Sequence, residues 1–133
     1  MDTNDKKTIL VTGASGYIAS WIVKYLLDEG HTVHGTVRDL NKKEKTEHLL
    51  KIAEEAKGEL KLFQADLMQE GSFAEAMKGC EIVMHTASPF FISNIKDPVK
   101  DLVEPAKLGT ANVLEQANKI ESIQRIVLTS SVV

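Results

Sequence analysis

Gly13 and Gly16 stand three apart in VTGASGYIAS, where the apolar run Thr8 to Thr12 gives way to a helical pattern. A side chain at either position would obstruct a ligand approaching the turn. A helix that starts there offers unpaired backbone N–H groups and the positive end of its dipole. That combination suits a pyrophosphate. Ala19, on the first turns of the helix, is small enough to let the helix close on the strand. The spacing Gly-x-x-Gly-x-x-Ala differs from the Gly-x-Gly-x-x-Gly dinucleotide fingerprint, so the strand before it and the helix after it carry much of the reading. The competing reading is a tight turn that binds nothing.

A second test lies about 20 residues on, at the end of the next strand, where an acidic residue would bind a ribose 2′-hydroxyl and an arginine a 2′-phosphate. The strand ends TVRD, so Arg38 and Asp39 offer both. Lys42, Lys43 and Lys45 follow at the expected start of a helix, where the dipole disfavours cations by roughly 0.3–1 kcal/mol each. A bound phosphate would offset that cost, which favours NADP over NAD. The alternative for the lysines is a solvated face, since NKKEKTEHLLKIAEEAKGE alternates in sign.

The elements that must position these residues follow from periodicity. Short apolar runs alternate with longer amphipathic ones, as in repeated strand–helix units. Strands are expected at Thr8 to Thr12, Thr32 to Val37, Leu60 to Ala65, Glu81 to Thr86 and Ile126 to Thr129. Ile18, Ile22 and Leu26, beside Ala19, Val23 and Leu27, give a helical stripe ending at Gly30. Val99, Val103, Ala106, Thr110, Val113, Ala117 and Ile120 give another, opened by Asp97 and Pro98, with Pro105 kinking it or delaying its start. Strands separated by helices imply a parallel sheet covered on both faces, the doubly wound α/β class. The sequence stops within a few residues of the fifth strand, and a sheet of this class expects more chain.

The totals narrow the partners. The chain has 133 residues, 43% apolar and 26% charged, and a formal charge of −3, so nothing draws it globally to nucleic acid or an anionic membrane. The lone Cys80 excludes an internal disulfide, and the polar start MDTNDKK leads straight to a strand; both suggest the cytoplasm. No apolar stretch approaches the roughly 20 residues needed to span a bilayer.

Taken together, VTGASGYIASWIVKYLL, HGTVRD, KTEHLL, FQADL with GSF, HTASP, PAKLGTANVL and VLTSS resemble the N-terminal part of an extended short-chain dehydrogenase/reductase, most similar to the dihydroflavonol 4-reductase and cinnamoyl-CoA reductase group. The resemblance covers nearly the whole chain and implies a Rossmann fold, truncated after its fifth strand, that binds NADP(H). It would place Gly13, Ser15, Gly16, Tyr17 and Ile18 along the pyrophosphate, and Arg38 and Lys45 on the 2′-phosphate. Asp66 and Leu67 would meet the adenine, and Thr86, Ala87 and Ser88 would lie toward the nicotinamide ribose. TSS would end in the active-site serine, Ser131, with Ser130 as the second choice.

Family chemistry also uses a tyrosine acid with a lysine four residues on, which lowers the phenol pKa from about 10. Trp21 stands four beyond Tyr17 and Glu29 four beyond Tyr25, so that pair is absent. Ala106 stands where many short-chain enzymes carry a helix asparagine. Residues 1–133 therefore read as the cofactor-binding half of an NADPH-dependent reductase of a small-molecule carbonyl, inactive without a C-terminal substrate-binding part. A sugar-nucleotide epimerase or dehydratase, or a non-catalytic NADP-sensing module, are the other readings.

His31 and His34 would face opposite sides of a strand, and His48 and His85 lack partners at metal spacing, so no metal site is expected. His85 is read either as a satisfied structural histidine or as a neighbour of the cofactor. Cys80 reads as an inert thiol, Trp21 as a packing residue, and Phe90 and Phe91 as pocket or packing residues.

Overall fold

The computed structural model describes residues 6–87, 97 and 103–129. Five parallel strands, β1 (Thr8–Thr12), β2 (Thr32–Val37), β3 (Glu59–Gln64), β4 (Ile82–His85) and β5 (Arg125–Leu128), form one sheet in the order β3-β2-β1-β4-β5. Between them run α1 (Tyr17–Asp28), α2 (Lys43–Glu55), the single turn α3 (Ala74–Met77) and α4 (Glu104–Asn118). The chain reverses direction across the sheet at β1, with β2 on one side and β4 on the other. Open α/β sheets bind ligands at such a point, beyond the carboxyl ends of the strands.

Alternation along β1 divides the core. Ile9 and Val11 join Ala19, Val23, Leu27 and Leu49 under α1 and α2, while Leu10 joins Met77, Val83, Val113 and Ala117 under α3 and α4. The doubly wound expectation holds.

Several local expectations change. β3 and β5 begin and end one residue earlier than expected, and β4 is one residue shorter at each end, as strand ends commonly vary. Ile18, expected in the buried stripe of α1, is 60% exposed. Gly30 closes α1 with a φ of +90°, one residue past the C-cap Glu29. Pro105 lies in the first turn of α4, the position where a helix tolerates proline best; the expected opening at Pro98 lies outside the described residues. The buried face of α4 is Gly109, Asn112, Val113 and Ala117; Val103 and Ala106 are exposed. Pro98, Phe90 and Phe91 lie outside the described residues.

Candidate functional site

The glycine turn is pinned to β2. Gly13 N–H donates to Thr36 Oγ1 at 3.2 Å, and Ala14 N–H to the Thr36 carbonyl at 2.8 Å. Gly13 has a φ of +63°, and a Cβ there would sit 3.0 Å from both Cα and Cβ of Ala87, so conformation and space both call for glycine. Gly16 is the N-cap of α1 with an ordinary φ of −69°; its contribution is bareness. No side chain caps α1, so the first-turn N–H groups, those of Tyr17 and Ile18 among them, are available to an anion. The Tyr17 and Ile18 side chains are exposed and do not line the cleft.

Beyond the carboxyl ends of β1, β2 and β3 lies a cleft of about 450 Å³, within the range of small-molecule sites. Gly13, Ser15 and Gly16 form one side, Thr36, Val37 and Arg38 another. The segment Ala65 to Met68 with Phe73 faces them, and Thr86 and Ala87 close the end. Arg38 lines the cleft with its side chain exposed, whereas Asp39 does not line it: its Oδ1 accepts the Asn41 N–H at 2.9 Å. Lys42 is the N-cap of α2, and Lys43 and Lys45 lie in its first turn with Glu44 as the acidic neighbour. Lys45 is exposed and outside the cleft lining. Ser20 Oγ donates to the Gly16 carbonyl at 2.7 Å and accepts from His48 Nε2 at 2.9 Å, tying α2 to the start of α1.

Asp66 opens a short turn: its Oδ1 accepts the Met68 N–H at 2.9 Å. Ser72 Oγ donates to the Asp66 carbonyl at 2.7 Å and accepts its N–H at 3.1 Å. At the far end, Thr12 Oγ1 accepts the N–H groups of both Thr86 and Ala87 at 3.0 Å, leaving its own hydrogen for His85 Nδ1 at 2.8 Å. Thr86 Oγ1 donates back to the Thr12 carbonyl. His85 is therefore the Nε2–H tautomer, and burial lowers its pKa. It is buried and absent from the cleft lining, so it is a structural histidine.

Gly13, Ser15, Gly16, Arg38, Asp66, Leu67, Thr86 and Ala87 thus share one cleft, while Ser88 and Ser131 lie outside the described residues. Thr12, Thr36 and Phe73 were not legible as site residues, because threonine and phenylalanine are ordinary strand and core residues. The available signal was position, since Thr12 and Thr36 stand at the carboxyl ends of adjacent central strands. Elsewhere, burial pushes the Cys80 thiol up to about 12, with Glu81 adding to the effect, and Sγ lies 3.2 Å from the Ala76 carbonyl. His34 Nδ1 donates to that same carbonyl at 2.7 Å. His31 precedes β2, and its Nδ1 accepts the Lys7 N–H at 3.0 Å. Trp21 is half-exposed, its ring 6.0 Å from that of Tyr25. Among the described residues no group of three or more His, Cys, Asp or Glu could hold a metal ion, and no helix is long and apolar enough to cross a membrane.

Residues 9–133 match the model of the NAD dependent epimerase/dehydratase family. The chain belongs to that family. Within it, the chain is 50% identical over 130 residues to cinnamoyl-CoA reductase CAD2 of Medicago truncatula, covering 98% of this chain and 39% of that protein. It is 41% identical over 131 residues to dihydroflavonol 4-reductase of Gerbera hybrida, covering 98% and 35%. Among solved structures, Gre2 of Candida albicans in complex with NADPH superposes with a TM-score of 0.77 at 35% identity, over 94% of this chain and 37% of that one. This family member therefore spans under two fifths of the length of such relatives.

Proposed function

We propose that residues 1–133 are the NADP(H)-binding domain of a reductase that transfers hydride to the carbonyl of a small molecule. One observation carries the cofactor choice: at the end of β2, Arg38 lines the cleft, while Asp39, whose Oδ1 accepts the Asn41 N–H, lies outside its lining. A guanidinium suits a 2′-phosphate; a carboxylate there would repel it. The relatives named reductases, and the NADPH complex of Gre2, support the same reading.

The cleft of about 450 Å³ lies in the size range of ligand sites, and the uncapped start of α1 offers it backbone donors, which supports the reading. Gly13, Ser15 and Gly16, with the first-turn N–H groups of Tyr17 and Ile18, would hold the pyrophosphate, and Arg38 with Lys45 the 2′-phosphate. Asp66 and Leu67 would hold the adenine, and Thr86, Ala87 and Ser88 the nicotinamide ribose. When bound, NADPH supplies the hydride. The Thr12 bridge holds the Thr86 and Ala87 backbone in place at that end of the cleft. Ser131 is assigned to the substrate oxygen by resemblance, and the tyrosine and lysine that complete proton transfer belong to the remainder of the longer protein. On this reading the 133-residue chain alone does not turn over substrate.

The test is Arg38→Ala in the full-length protein, with NADPH and NADH titrated by calorimetry. Loss of hydrogen bonds to a charged group, ~1.5–3 kcal/mol, weakens NADPH roughly 10- to 100-fold. NADH should change by less than about threefold, since it lacks the phosphate that Arg38 would contact. Equal losses for the two nucleotides reject the assignment.

A further inference from the structure

Asn112 lies on the buried face of α4, only 6% exposed, and is not part of the cleft lining. Its Nδ2 donates to the Leu67 carbonyl at 2.6 Å. The N–H of the same peptide unit, that of Met68, donates to Asp66 Oδ1 at 2.9 Å. One peptide plane is therefore held at both ends, by α4 on one side and by the Asp66 carboxylate on the other. One helical turn before Asn112, Gly109 makes the close approach possible: a Cβ there would lie 3.3 Å from Leu67 Cβ and from Met68 Cε. A helix that approaches a loop this closely and grips it with a buried amide has little freedom to let the loop shift.

The effect reaches the cleft through Asp66. With Oδ1 committed to Met68, the second carboxylate oxygen is the acceptor left for a ligand. The Leu67 N–H, with no partner among the described residues, is the adjacent donor. An acceptor beside a donor matches the amino group and ring nitrogen of a 6-aminopurine edge, and opposes the oxo group and N–H of hypoxanthine.

We propose that Asn112 is a positioning residue that sets how strictly the site reads adenine, by fixing the Leu67–Met68 peptide and, through it, the Asp66 carboxylate. The inference rests on the reading of the cleft as a dinucleotide site. Asn112 touches no ligand in this scheme. Removing its donor leaves the partly buried Leu67 carbonyl without its α4 partner, and the turn relaxes toward other hydrogen-bond arrangements.

The experiment measures dissociation constants of the full-length protein for NADPH, for its hypoxanthine analogue deamino-NADPH, and for NADH, in the wild type, Asn112→Leu and Asn112→Ser. Circular dichroism checks folding of each. The wild type should prefer NADPH over deamino-NADPH by roughly tenfold or more, as sites built to hydrogen-bond a group reject analogues lacking it. Asn112→Leu should compress that ratio to within about threefold, while the NADPH-to-NADH ratio, set at Arg38, stays unchanged. Asn112→Ser, which keeps a shorter donor, should fall between them. If Asn112→Leu does not fold, the serine variant decides alone. An unchanged purine ratio in a folded variant overturns the proposal, as does a wild type that does not discriminate, and equal compression of both ratios would mean a general structural role. Failure of the wild type to bind either reduced nucleotide would instead reject the dinucleotide reading, and the inference with it.

Discussion

Thr12 links residue chemistry to pH. Because its oxygen accepts two backbone N–H groups, its hydrogen goes to His85 Nδ1, and protonation of that nitrogen would set two donors against each other. Burial already lowers the His85 pKa below 6.5. The sign follows from proton counting: below about 6.5 the unfolded chain takes up a proton that the fold refuses, so this group's contribution falls as pH drops toward its folded value. In urea unfolding of the full-length protein between pH 7.5 and 5, the wild type should lose stability more steeply than His85→Gln. Parallel slopes would remove His85 from the account. At this scale the sequence was informative about Gly13, Gly16 and Arg38, whose types are chemically distinctive at their positions. It was silent about Thr12 and Asn112, because one hydroxyl in a strand and one amide in a helix look alike whether or not they hold a loop.

Between elements, the approach of β2 to the glycine turn is set by Gly35. A Cβ there would lie 2.9 Å from Ala14 Cβ, a rigid atom on a fully buried residue, and 3.3 Å from Leu62 Cδ2. Gly35→Ala should therefore destabilise the fold by ~1–3 kcal/mol, the usual penalty of overpacking. Adding Ala14→Gly should recover part of it, as a double-mutant cycle by denaturant would report. Additive effects would show that the two positions are independent. The strands were legible because each is a short apolar run between turn residues. The face of α4 was only half legible: periodicity of apolar residues finds Val113 and Ala117, but it passes over Gly109 and Asn112, which are buried for closeness and for a hydrogen bond. At the start of the same helix, Val103 and Ala106 satisfy the apolar period and are nevertheless exposed.

At the scale of the whole molecule, one edge of the sheet is open among the described residues. All four residues of β5 are exposed at the sheet edge, with Ile126, Val127 and Leu128 at 36%, 42% and 52%. Edge strands with apolar side chains and unpaired backbone are templates for another strand. The 133-residue chain studied alone should therefore self-associate as its concentration rises in sedimentation velocity, and Val127→Lys should shift it toward monomer; a wild type that stays monomeric throughout rejects the edge as a contact. The order of the residues along the chain matters in another way. Every described residue that lines the cleft falls between Gly13 and Ala87, whereas Asn112 is translated later. Synthesis runs from the amino terminus, so the ribosome releases the cleft before the helix that braces one of its walls. A nascent chain thus passes through a stage in which these cleft residues are made and the Asp66 turn is unbraced, and docking of α4 then steadies a wall that was made first.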